Sequence, residues 1–279
     1  MALPSPPHPS PRAPPATPPP DLPDKIARGA LNWLAGWWRT AYLGAMVLVL
    51  ALSPSSYRRD SRRTLASFIY FDTAPVLLSF TLLSALISLV IVRIVVTTAL
   101  TYGLSQYALE TLVRVLVVEL IPLTAALFVA LRCTIPNATA LARLRFQGAF
   151  DALRRQGIDP LRVEVMPRAV AGIFAVLLLV ALSCVVALVL SYLGVHGFTL
   201  GGLPAYTRRV GQIFSPSMSL VFALKTLLLS LTVSLIPMTA AASGPLIKGA
   251  RTRAEMQGLV RLFVVVLFIE ALGLIGNYY

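Results

Sequence analysis

Charge is what this sequence has least of. Only 13% of its 279 residues are Asp, Glu, Lys or Arg, against 57% hydrophobic residues and a mean hydropathy of +0.80. A soluble globular domain carries about 25% charged residues, so this chain has about half the charge that a water-facing surface needs. The shortage excludes a soluble domain. It predicts an all-α integral membrane protein, because long apolar runs cross a bilayer as helices that satisfy their own backbone.

Cysteine and histidine are nearly as scarce, two of each. Cys133 and Cys184 lie in or beside apolar runs, too few and too poorly placed for a disulfide framework or a thiolate metal site. They read as small buried hydrophobes. His8 falls in the N-terminal tail and His196 in a predicted outer loop. No metal site, cofactor or histidine-based catalysis is expected. There is also no GxxxxGK[ST] phosphate loop, so the chain cannot hold ATP by that route. It is expected not to be an enzyme.

The charge that is present is mostly positive, +13 in formal terms, with arginine the commoner base. Its distribution argues against nucleic acid. The basic residues cluster between apolar runs, as the positive-inside rule requires of cytoplasmic loops.

Two regions follow from the composition: a tail over 1–25 and one membrane domain over 26–279. Residues 1–24 hold about half of the prolines. Such a stretch cannot bury a core and is expected to be a disordered, extended tether. Residues 26–53 carry Trp33, Trp37 and Trp38 at the spacing of one helical face, with basic residues at both ends. Tryptophan favours the headgroup boundary, and the uninterrupted apolar part, 41–52, falls short of the roughly 20 residues of a span. An interfacial helix on the cytoplasmic leaflet is predicted, with a true span as the open alternative. Five spans are then predicted, over approximately 74–100, 111–132, 169–193, 220–242 and 259–275, the first entered through Pro75 and the fourth kinked at Pro237. Counted from a cytoplasmic N-terminus, they place 133–168 and 243–258 inside. Those loops hold nine arginines and lysines, whereas the outer loops hold only Arg208 and Arg209.

Between the second and third spans lies FQGAFDALRRQGIDPLRVEVMPR, residues 146–168. Phe146, Ala149, Phe150 and Leu153 follow i, i+3, i+4, i+7 and predict one apolar stripe on a short helix. Gln147, Asp151, Arg154 and Arg155 take the opposite side. Gly157 suits the end of that helix, Asp159-Pro160 turns the chain, and Pro167-Arg168 restarts at the membrane. A charged, two-faced rod tied to two spans is either a lever for a cytosolic partner or a surface helix on lipid headgroups. The pattern alone does not choose.

The order of elements and this segment resemble the MlaE permease family, membrane subunits of bacterial ABC lipid transporters that work with MCE-domain proteins. Glu119-Leu120-Ile121-Pro122 is similar to the family's Glu-Leu-Gly-Pro element, Gly157-Ile158-Asp159-Pro160 to its Gly-x-Asp-Pro turn, and Pro167-Arg168 to its Pro-Arg pair. Asp151-Ala152-Leu153 resembles the end of its coupling helix. Arg132 and Lys225 also fall where members carry Arg and Lys. Ile121 departs from the pattern, as do Cys133-Thr134-Ile135-Pro136-Asn137, Ala140, Gln147-Gly148-Ala149 and Lys248-Gly249-Ala250-Arg251. Two acidic residues usual in the family are missing, which marks a divergent branch.

The resemblance covers 26–279 and implies a homodimer in the bacterial cytoplasmic membrane, N-terminus inside. It further implies an ATP-binding cassette ATPase on a separate chain, an MCE-domain protein on the outer side, and membrane lipid between the two copies. It makes Phe146, Phe150, Asp151, Leu153, Arg154, Arg155, Asp159, Pro160 and Arg168 the ATPase-coupling set. Arg93, Arg114, Glu119, Lys225 and Glu270 fall in or near spans, where a bare charge costs about 2.5–3.5 kcal/mol on insertion scales. Glu119, Lys225 and Glu270 are read as an intramembrane polar group. It could be a polar path or simple interhelical pairing, for which Glu119 with Lys225 is the candidate. An ion-coupled secondary transporter and a non-transporting assembly subunit are the competing functions.

Overall fold

The computed structural model describes residues 22–53, 59–103, 105–243 and 248–278. Most of the proline-rich tail, His8 included, lies outside them. The chain divides into two compact units, 1–39 and Thr40–Tyr279; both apolar cores and every site below belong to the second.

Ten α-helices carry the described fold: α1 (Leu22–Leu52), α2 (Arg59–Thr101), α3 (Ser105–Leu112), α4 (Ile121–Val129), α5 (Ile135–Phe146), α6 (Ala149–Arg155), α7 (Met166–His196), α8 (Leu203–Ile213), α9 (Pro216–Ser243) and α10 (Lys248–Tyr278). Among the described residues, six stretches are long and apolar enough to cross a membrane: Ala35–Leu52, Leu65–Thr101, Tyr107–Phe146, Leu161–His196, Pro216–Ser243 and Met256–Gly276. The chain is an all-α integral membrane protein.

Five of the six stretches contain the predicted spans, each extended at its ends. Pro75 does not open the first, because α2 begins at Arg59 and carries Pro75 inside it. The sixth stretch falls on the segment read as interfacial. Ala35–Leu52 has a mean hydropathy of 1.3, the lowest of the set, while Leu161–His196 reaches 3.2. α1 begins at Leu22.

The second crossing is not one regular helix. It runs α3, a π-helical stretch at Val113–Leu120, α4, a second π stretch at Ala130–Thr134, then α5. A third, Leu161–Val165, leads into α7. Each π stretch ends two residues before a proline, at Pro122, Pro136 and Pro167, the second residue of the α-helix that follows. Proline has no N–H to give the carbonyl four residues back, and its ring collides with that carbonyl. Widening the preceding turn to i→i+5 bonding moves the carbonyl aside without ending the helix.

The larger core joins the second crossing to α2, α7, α9 and α10 around Phe80, Leu112, Leu116, Leu179 and Leu229. Close approach is set at two glycines. A Cβ on Gly172 of α7 would lie 2.7 Å from Ser234 Oγ and 2.9 Å from Thr134 Cγ2. One on Gly194 would lie 2.2 Å from Cγ1 of Val92 on α2. Gly194→Ala is therefore expected to destabilise the solubilised protein by the ~1–3 kcal/mol typical of overpacking, seen as a lower apparent melting point. Combining it with Val92→Ala should recover most of that loss, and an additive double variant would contradict the close contact.

At the end where α7 stops, α8 is held by aromatic packing. Tyr206 stacks edge-on against Tyr192 at 5.2 Å and donates its hydroxyl to the Leu188 carbonyl at 2.7 Å. Burial pushes the Tyr206 phenol up to about 12. His196, the predicted loop histidine, is the last residue of α7 and stacks on Tyr192. Cys133 is buried and Cys184 half-buried, neither in a disulfide.

Candidate functional site

The helices alternate in direction, so the bundle has two ends. One carries the α5–α6–α7 connection; the other carries the α2–α3 and α7–α9 connections. The residues singled out in the sequence fall into two groups, one at the first end and one between α3–α4, α9 and α10.

The first group is built on α6. The predicted single stripe does not form. Gln147 and Gly148 break the helix, Gly148 in the left-handed region at φ +78°. Phe146 therefore closes α5 and is 51% exposed. Glycine alone adopts that conformation without steric cost, so the interruption is local and set by sequence. What remains of the stripe is Phe150, 5% exposed, with Leu153 half-buried beside it. Asp151, Arg154 and Arg155 are exposed.

Phe150 enters a second apolar core made of Val47 from α1, Ala138 and Leu141 from α5, Val165, Met166 and Ala169 leading into α7, and Met238 from α9. Residues of α1, α5, α7 and α9 thus share one apolar cluster with Phe150.

The turn after α6 is rigid for identifiable reasons. Gly157, at φ +73°, donates its N–H to the Arg154 carbonyl at 3.0 Å, and Ile158 donates to the Leu153 carbonyl at 3.0 Å. This paired arrangement is the Schellman ending, which satisfies carbonyls that a helix end leaves open. The Asp159 carboxylate accepts the Leu161 N–H at 3.0 Å, and buried Pro160 opens the next helical turn. Asp before Pro is thus an N-cap followed by a residue with no N–H to satisfy.

Arg168 is 8% exposed. Its Nη2 donates to Glu164 Oε2 at 2.9 Å, and its guanidinium lies 5.2 Å from the ring of Phe68 on α2. It ties α7 to α2 and is turned into the bundle. Neither Glu164 nor Phe68 was singled out in the sequence, although the Glu-to-Arg spacing of four is a legible signal.

In the second group, Lys225 of α9 is 3% exposed and donates to two carboxylates. One is Glu119, in the first π stretch; the other is Glu270 Oε2 on α10, at 2.6 Å. Gly273 lies one turn beyond Glu270, and a Cβ there would come within 3.0 Å of Lys225 Cδ, so the glycine makes room for the lysine stem. Arg114 and Arg93 stand outside this triad. Arg114 pairs with Glu110 at 3.1 Å, and Arg93 is exposed about two turns before the end of α2, within reach of headgroups along its own stem.

The described residues thus form a many-helix membrane bundle with a capped short helix at one end and an ionic triad inside. The sequence model of the family described as Permease MlaE matches residues 65–275, most of the chain. The chain belongs to the MlaE permease family, and with it to the permeases of ABC-type lipid transporters. The comparison with curated proteins found no match.

Proposed function

We propose that this chain is the permease of a bacterial cytoplasmic-membrane ABC transporter that moves phospholipid or a similar hydrophobic molecule. Its N-terminus and α6 face the cytosol, two copies enclose the lipid path, and an MCE-domain protein receives or delivers lipid outside. ATP is bound and hydrolysed on a separate ATPase subunit.

One observation carries the reading. α6 shows Asp151, Arg154 and Arg155 to solvent while Phe150 roots it in a core shared by α1, α5, α7 and α9. A partner that moves the charged side pushes on α5 and on the cluster where α1, α7 and α9 meet it, and a close-packed core transmits displacement instead of absorbing it. The three π stretches lie in the helices so moved, or at their entrance, where such turns concentrate at functional positions.

The test is docking. In a complex isolated through a tag on the full chain, Arg154→Glu with Arg155→Glu is expected to reduce recovery of the ATPase subunit at least tenfold, about 1.4 kcal/mol or more. Both positions are exposed, so membrane insertion should be unchanged. Unaltered recovery together with unaltered lipid-stimulated hydrolysis would remove α6 as the docking element. An ion-coupled transporter would instead move lipid along an ion gradient with no ATPase present.

A further inference from the structure

At the end of the bundle opposite α6, a cleft of about 560 Å³ opens between the start of the second crossing, the end of α8 and the start of α9. Arg114, Arg209, Gln212, Ser215 and Ser217 line it, with Glu110 as the one carboxylate. Leu109 and Met218, both buried, supply apolar lining. Ser215 already accepts the Met218 N–H at 3.3 Å and shares a 3.0 Å hydroxyl contact with Ser217, which fixes the rim at the first turn of α9.

We infer that this cleft binds the phosphate of a lipid headgroup, on the lipid-permease reading above. The chemistry of the lining selects the ligand. Two guanidiniums against one carboxylate leave the lining net positive. A guanidinium carries five N–H donors in a planar fork that matches phosphate oxygens, and Arg114 gives part of its fork to Glu110 at 3.1 Å. The serine hydroxyls and Gln212 amide add donors of the kind that satisfy a glycerol or ester group.

Size and depth narrow the source. Small-molecule sites usually measure about 300–1,000 Å³, so the cleft holds a headgroup with its glycerol and exceeds what a bare ion needs. Two apolar stretches, Tyr107–Phe146 and Pro216–Ser243, begin at this cleft. It therefore lies where a bilayer places its phosphates. A soluble phosphate ester would gain nothing from the neighbouring apolar stretches.

The experiment uses the full chain, delipidated in detergent, with ligand binding followed by native mass spectrometry. The probes are phosphatidylglycerol, diacylglycerol with the same chains, and glycerol 3-phosphate. Phosphatidylglycerol should bind more tightly than either fragment. Arg209→Gln, a change at an exposed position, should weaken it about tenfold, ~1.4 kcal/mol, and adding Arg114→Gln should weaken it further. Diacylglycerol binding should not respond to either change. Equal phosphatidylglycerol affinity in parent and double variant would overturn the site. Glycerol 3-phosphate binding as tightly as the lipid would overturn the lipid assignment in favour of a soluble phosphate ester. ATPase recovery from the same preparations separates the two readings. If parent and variants all carry the ATPase and only the lipid prediction fails, the permease reading stands. If the parent recovers no ATPase, that reading fails, whatever the cleft binds.

Discussion

Lys225→Met is expected to remove most of the folded protein. The substitution leaves Glu119 and Glu270 facing each other among buried residues with no cation between them. Removing one partner of a buried ionic group typically costs about 3–5 kcal/mol, because the charge left behind is uncompensated. A large fraction of a typical domain's net stability would go with it. Fluorescence-detected size exclusion after heating should show the monodisperse peak lost at temperatures the parent survives.

The companion variant makes the cause visible. Replacing all three residues together, Glu119→Gln, Lys225→Met and Glu270→Gln, removes the charges as well as the pairing. Exchanging a whole buried ionic group for neutral side chains is often neutral or stabilising, so the triple variant should melt near the parent and well above Lys225→Met. If the triple variant were as damaged as the single one, the damage would come from lost packing around the lysine stem, and the electrostatic account would be wrong.

The second large effect is expected at Phe150. Phe150→Ala should cost about 3–5 kcal/mol, the usual loss for truncating a buried aromatic. The local consequence distinguishes it from a general core defect. With its anchor gone, α6 would keep only the half-buried Leu153 and its closing turn, so hydrogen exchange of its amides should accelerate more than exchange in the middle of α7. Uniform acceleration through the bundle would contradict the anchoring role. The contrast with Arg154 and Arg155 is informative. Two faces of a seven-residue helix should give different failures, loss of stability from one and loss of the ATPase from the other.

The sequence showed much of this helix, but not its start. Gly157 and Asp159-Pro160 were legible because their backbone demands are local and each residue has few alternatives. Phe146 was assigned to the wrong helix because a 3.6-residue period tolerates Gln-Gly in its path, whereas the backbone at Gly148 does not continue. The long apolar spans were legible for the opposite reason. Hydropathy sums over many residues, so α7 stood out while the weaker 35–52 stretch was read as too short.

The ionic triad was half legible. Each of its members is conspicuous in an apolar run, and Glu119 with Lys225 was one of several pairings on offer. Nothing local joins residues 106 positions apart, and the second carboxylate, Glu270, is supplied by packing alone. The cleft at the far end was missed because Arg209 sits in a predicted outer loop and Arg114 in a predicted span, far apart in sequence. Only the fold brings their side chains to one cavity.

The prolines of the second crossing carry a consequence for angular phase. In a regular helix each residue advances the azimuth by about 100°, and a turn that holds an extra residue resets that count for everything after it. Positions on either side of 113–120 and 130–134 therefore cannot be compared on one helical wheel. A single-residue deletion within the first of these turns would leave the span nearly as long as before, yet swing Glu119 away from the lysine it neutralises.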